Sequence, residues 1–160
     1  MHEIEKKFLV LSKIFKEEAL KKKDIKMGYL NTHPEKTVRL RIFGEEAVLT
    51  IKGKSTKKGL SRFEWEKKIN KNEAEELLAL CEPGIIEKIR YFVDIGDHTF
   101  EVDEFCGENE DLVLAEVELT SENEYFEKPD WLGEEVTGDI RYYNSHLAKN
   151  PYIHWKKDLL

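Results

Sequence analysis

Glutamates recur two residues apart at Glu3 and Glu5, Glu64 and Glu66, and Glu116 and Glu118. On an extended strand, residues i and i+2 share a face. Each pair therefore aims both carboxylates at one point, an arrangement that suits a hard divalent cation such as Mg²⁺ or Mn²⁺. Between these pairs lie Lys7, Arg39 with Arg41, Lys52, and Lys88 with Arg90. Arginine offers phosphate oxygens a planar fork of N–H donors, and lysine offers a point charge. Glu101 and Asp103 form a further acidic pair, and Arg62, Lys68 and Arg141 are additional basic candidates. A surface carrying both sets suits a metal–polyphosphate complex, because bound cations reverse the sign of the acidic patches.

The elements that must position these groups are strands. Charged and apolar residues alternate through 3–10, 37–43, 47–52, 61–69, 86–93, 99–105 and 112–119, with a further strand expected over 26–30. Short turns at Gly44-Glu45-Glu46, Ile95-Gly96-Asp97 and Gly107-Glu108-Asn109 imply antiparallel neighbours. Helices are expected over 12–23, capped by Ser12 and ending in Lys21-Lys22-Lys23, and from Asn70 or Asn72 to about Cys81, ended by Pro83-Gly84. From Ser121 onward the chain reads as short helices, the clearest over 139–149. About eight strands are enough to close a barrel. The charged faces would then point inward and the apolar faces outward under the helices. The expected fold is α+β, mainly β: a closed eight-stranded antiparallel barrel with a charged interior and flanking helices.

Composition narrows the classes. The chain has 160 residues, 40% of them hydrophobic, which supports one domain over 1–160 with 151–160 as a peripheral tail. A net charge of −7, from 33 acids and 26 bases, disfavours nucleic acid as a partner. No apolar stretch is long enough to span a membrane, and the acidic start does not read as a targeting segment. The expected compartment is cytoplasmic, with Cys81 and Cys106 as reduced thiols. The five histidines are scattered without metal-ligand spacing. The tail, with Trp155, either folds back or mediates a homodimer, and the sequence leaves both open.

Taken in order, these residues resemble the CYTH superfamily, the triphosphate tunnel metalloenzymes, and most of all its small single-domain bacterial members. The likeness starts with Glu3-x-Glu5-x-Lys7 and continues through Arg39-x-Arg41, Lys52 and Gly59-Leu60-Ser61-Arg62-x-Glu64-x-Glu66. It goes on through Glu87-Lys88-x-Arg90-Tyr91, Glu101-x-Asp103, Glu116-x-Glu118, Gly133-x-Glu135-Val136-Thr137 and Asp139-x-Arg141-Tyr142-x-Asn144. It departs from the family at Met27, where a polar residue is common, and at Ile140, where a basic one is.

The resemblance implies an eight-stranded hydrophilic tunnel that hydrolyses a triphosphate with a divalent metal, Mg²⁺ or Mn²⁺, in two ions. It puts Lys7, Arg39, Arg41, Lys52, Lys88 and Arg90 on the triphosphate. It puts Glu3, Glu5, Glu116 and Glu118 on one metal, with Glu64 and Glu66 contributing to a second. Glu101 and Asp103 line the tunnel beside Arg62. Asp139, Arg141 and Tyr142 stand where a C-terminal helix closes one end, which places Arg141 among the substrate contacts. Lys7, Lys88, Glu66 and Glu118 are the candidates for catalytic roles. The general base stays open among the glutamates and a lysine of depressed pKa. Inorganic tripolyphosphate is the leading substrate and nucleoside triphosphates are second. The alternatives are a class IV-type adenylate cyclase, a thiamine triphosphatase and a polyphosphate-binding module without turnover.

Overall fold

Each segment whose alternation predicts a strand forms one, and every pairing is antiparallel. The computed structural model describes residues 4–33, 35–55 and 62–159. Its strands are β1 (Ile4–Val10), β2 (Lys21–Asn31), β3 (Lys36–Phe43), β4 (Glu46–Ser55), β5 (Arg62–Ile69), β6 (Ile86–Ile95), β7 (His98–Phe105), β8 (Val113–Leu119) and β9 (Leu132–Glu135). They form one nine-stranded sheet in the order β5-β4-β3-β2-β6-β7-β8-β1-β9.

The mainly β, antiparallel architecture is as expected, with nine strands in the sheet in place of eight. Among the described residues no ladder joins the edges β5 and β9, so the sheet is open. The reason is local. One edge of β1 pairs with β8, and the other is taken by β9, with Phe8 opposite Glu135 and Val10 opposite Leu132. No edge of β1 is left for β5. Strand β9 falls in a region the sequence assigns to helices, because four residues are too few to show a period.

Two helix expectations also give way. The segment 12–23 contains only the single turn α1 (Phe15–Glu18), and Lys21-Lys22-Lys23 begin β2 opposite Phe92, Tyr91 and Arg90. The lysines are accommodated there over aromatic rings, Lys21 at 4.8 Å from Phe92 and Lys23 at 5.5 Å from Phe43. Helix propensity loses to a full ladder with β6. Helix α2 (Lys71–Leu78) begins as expected, Asn70 accepting from the Asn72 amide at 2.7 Å, but ends at Leu78 rather than Cys81. Gly84, beyond it, has φ +99°, and a Cβ there would sit 1.8 Å from the Ala148 carbonyl oxygen. It permits a close approach of two chain segments rather than ending a helix.

The face away from the charges carries two apolar clusters. Phe8, Tyr91, Val93, Phe100, Val102, Ala115 and Val117 pack under Phe15 of α1 and under Phe126 and Trp131. Leu40, Ile42 and Ala47 pack under Ala74 of α2. On the apolar face of β5, Ile69 packs against this second cluster, while Phe63 and Trp65 stay exposed, at 68% and 42%. A third cluster lies on the same side as the charges. There Met27, Ile86, Phe105 and Leu114 receive Val136, Tyr142, Leu147 and Trp155. The tail thus folds back: the Trp155 ring stands 5.4 Å from Tyr142, and its indole N–H donates to the Asn150 carbonyl at 3.0 Å.

Candidate active site

Between the charged strand faces and this C-terminal packing lies a cavity of about 770 Å³. Its lining includes the acids Glu5, Glu64, Glu66, Glu101, Glu116 and Glu118 and the bases Lys7, Arg39, Arg41, Lys52, Lys88 and Arg90. Register builds this lining directly. Directly opposite residues of an antiparallel pair share a face. Glu5 is opposite Glu118 and Lys7 opposite Glu116, and Glu116 is in turn opposite Glu101. Across the sheet, Tyr29, Arg39, Thr50 and Glu66 form one row, and Thr37, Lys52 and Glu64 another.

The cations fall into two kinds. Lys88 and Arg90 are held by Asp103, which is 3% exposed. Lys88 Nζ lies 2.7 Å from one Asp103 oxygen, and Arg90 donates to both, Nε at 2.8 Å and Nη2 at 3.0 Å. Burial alone would raise the Asp103 pKa, but the Lys88 and Arg90 charges hold it well below the usual carboxylate range. Burial lowers the Lys88 pKa, and Asp103 opposes that shift. Arg39 and Arg41 are different, because the buried Nε of each has no hydrogen-bond partner. Burial, together with the positive charges of Arg39 and Arg90, pushes the Arg41 pKa down. An anion in the cavity would relieve both the missing bonds and the repulsion.

The carboxylates concentrate on β1 and β8. Burial works against ionisation of Glu116, but a hydrogen bond with Glu5 and the Lys7 ammonium, 3.5 Å away, lower its pKa. Glu5, Glu116 and Glu118 line the cavity together, Glu5 opposite Glu118 and Glu116 next to it on the same strand face, and such a set of carboxylates fits a divalent metal. Among the described residues no group of three or more His, Cys, Asp or Glu is gathered to hold an ion by itself. Mg²⁺ does not require one, since it is commonly bound by one or two carboxylates, waters and substrate phosphates. Glu101, across from Glu116, has its pKa raised by burial, and it accepts from Arg90 Nη1 at 2.6 Å.

Not every expected residue reaches the cavity. Glu3, Gly59-Leu60-Ser61 and the Arg62 side chain lie outside the described residues. Asp103 is buried behind Lys88 and Arg90 instead of lining the space. Lys68, Asp139 and Arg141 are not in the lining. Arg141 pairs with Asp139 at 2.7 Å and stacks on Tyr142 and Trp155, 5.5 Å from each.

Other groups in the lining are given no role by the sequence: Met27 and Asn144, which figure there only in the family resemblance, and Tyr29, Thr32, Thr37, Tyr143 and Ser145. Three of these follow from a break in the helix expected over 139–149. Tyr143 is extended at φ −74°, ψ 139°, between a 3₁₀ turn (Ile140–Tyr142) and α3 (Asn144–Lys149). The break lets Lys7 Nζ donate to the Tyr142 carbonyl at 3.1 Å and Lys88 Nζ to Asn144 Oδ1 at 3.1 Å. A second cavity, of about 510 Å³, meets the first at Tyr29 and Thr32 and is walled in part by Pro83, Gly84, Pro151 and His154.

Sheet and cavity together define an antiparallel β protein whose charged strand faces enclose a space lined by cations and carboxylates. The chain belongs to the CYTH domain family, which it matches over residues 1–148. An inorganic triphosphatase of Acetivibrio thermocellus is 51% identical over 156 residues, covering 97% of this chain and 98% of that protein. One of Nitrosomonas europaea is 41% identical over 152 residues, covering 92% and 97%. A crystal structure of an inorganic triphosphatase superposes with a TM-score of 0.71 at 37% identity, over 92% of this chain and 95% of that one. A protein of Pyrococcus horikoshii, at 19% identity and a TM-score of 0.55, shares the fold over 76% of this chain and 80% of its own.

Proposed function

We infer that this chain is a divalent-metal-dependent triphosphatase acting on inorganic tripolyphosphate. The observation that carries the reading is the buried, unpaired Nε of Arg39 and Arg41 in a cavity also lined by the carboxylates Glu5, Glu116 and Glu118. Two relatives covered almost end to end are inorganic triphosphatases.

Lys7, Arg39, Arg41, Lys52, Lys88 and Arg90 hold the phosphate oxygens. Glu5, Glu116 and Glu118, with Glu3, would hold one cation, and Glu64 and Glu66 would contribute to a second. A divalent cation held there, Mg²⁺ or Mn²⁺, would neutralise phosphate charge and act as a Lewis acid. Water attacks a terminal phosphorus and the bridging P–O bond breaks, leaving phosphate and diphosphate. The arginines take up charge on the transferred group, and Lys88 donates to its oxygens. Among the described residues no helix is long and apolar enough to cross a membrane. A cytoplasmic location, with Cys81 and Cys106 as free thiols, completes the reading.

The second cavity beside Tyr29 and Thr32 favours one other reading, in which it receives the organic part of a nucleoside triphosphate. A phosphate-release panel separates the two: tripolyphosphate, ATP, GTP and thiamine triphosphate, each with Mg²⁺, Mn²⁺ or chelator. Release from tripolyphosphate should exceed release from ATP and vanish with chelator. Faster release from ATP would overturn the substrate assignment. Cyclic AMP formed from ATP would move the chain to the cyclase class.

A further inference from the structure

Lys88 reaches the cavity from a closed setting, with 2% of its side chain exposed. An ammonium has three N–H donors and no acceptor. One lies 2.7 Å from Asp103 and another donates to Asn144 Oδ1 at 3.1 Å. Because the ammonium can only donate, the amide atom facing it is the oxygen. These two partners come from different parts of the chain, β7 and the first residue of α3.

We propose that Asn144 is a positioning residue: with Asp103 it fixes Lys88 Nζ so that the third N–H points into the cavity at the phosphoryl group. This rests on the triphosphatase reading of the site. Asp103 by itself does not set the direction, since it also binds Arg90 through both oxygens and can hold Nζ over a range of rotations. Asn144 is well anchored for the task. The preceding turn is capped by Asp139, whose carboxylate accepts from the Arg141 amide at 3.1 Å. Tyr142 is buried against Trp155. The Tyr142 carbonyl accepts from Lys7 Nζ, so one segment holds both lysines.

The test compares Asn144→Ala and Asn144→Asp with the wild-type full chain on tripolyphosphate and Mg²⁺, from about pH 6 to about pH 10. Loss of aim should lower kcat of Asn144→Ala on the order of 10²-fold, while KM moves by less than about 3-fold. Asn144→Asp restores an acceptor at the same place and should recover most of kcat. Its added negative charge should also move the alkaline limb of kcat upward. A second readout is the ¹⁵N resonance of the Lys88 ammonium, which should shift or broaden in Asn144→Ala without substrate. Wild-type kcat in Asn144→Ala overturns the proposal, as does an Asn144→Asp enzyme equally slow with an unmoved alkaline limb. If the wild type releases no phosphate from tripolyphosphate, the functional reading fails and the ¹⁵N signal alone decides this one. An unchanged signal then refutes it. If Asn144→Ala does not fold, the Asn144→Asp comparison carries the test.

Discussion

Replacing Asp103 with Asn tests how the cationic side of the cavity is held. The carboxylate is 5% exposed, beside Lys88 at 2% and Arg90 at 16%, so solvent does little to screen the cluster. Removing one partner of a buried ion pair costs about 3–5 kcal/mol, because the remaining charge is left uncompensated. Asn keeps the shape and one acceptor oxygen, which points to the lower end, about 3 kcal/mol. For a chain of this length, each kcal/mol moves Tm by about 2–4 °C, so a fall of roughly 6–12 °C is expected near neutral pH. Thermal and urea unfolding of both proteins measure it.

The pH dependence supplies a second check. The Asp103 pKa is depressed in the folded state, so its contribution is fully present above the unfolded value of about 3.9. It is lost as pH falls toward the folded value. The gap between wild type and Asp103→Asn should therefore be steady at neutral pH and narrow only below about pH 4. A loss under about 1 kcal/mol at neutral pH would refute the reasoning. So would a gap that widens on acidification.

Other outcomes follow from the same geometry. Arg41→Met removes a buried, repelled cation and should leave Tm of the ligand-free chain unchanged or up to about 4 °C higher; it should also abolish the thermal shift that tripolyphosphate gives the wild type. Trp155→Ala empties the ring packed on Tyr142 and Tyr152. It should cost about 3–5 kcal/mol in urea unfolding and expose 151–160 to proteolysis. Gly84→Ala adds a Cβ 1.8 Å from a carbonyl oxygen at φ +99° and should lose more than about 2 kcal/mol. Glu5→Gln and Glu118→Gln should abolish metal-dependent phosphate release with circular dichroism unchanged, and full activity in both would remove the metal assignment.

Much of the cavity was readable from alternation, because spacing by two needs no knowledge of which strands are neighbours. Arg39 with Arg41, Lys88 with Arg90, and Glu116 with Glu118 reach the cavity for that reason. Asp103 shares that spacing, yet it lies behind its neighbours; depth within a packed sheet has no period. Arg141 pairs with Asp139 and stacks on Trp155 outside the lining, and the break at Tyr143 brings in Tyr143 and Asn144 instead. Met27 and Tyr29 sit on the charged side of β2 because register with β3 and β6 puts them there.

Sequence by itself determined which side chains share a strand face, and so the pairing of carboxylates with cations that marks this chain as a polyphosphate handler. The period-two constraint is local and leaves little choice once one face must be buried. Only the tertiary structure decided how those faces meet. It let β9 take the edge of β1 and leave the sheet open, and it put Asp103 under two cations. It also swung the C-terminal segment across the cavity to hold Lys7 and Lys88. Those outcomes depend on contacts whose separations follow no local period: 13 for Arg90 with Asp103, 56 for Lys88 with Asn144 and 135 for Lys7 with Tyr142. No local pattern encodes them.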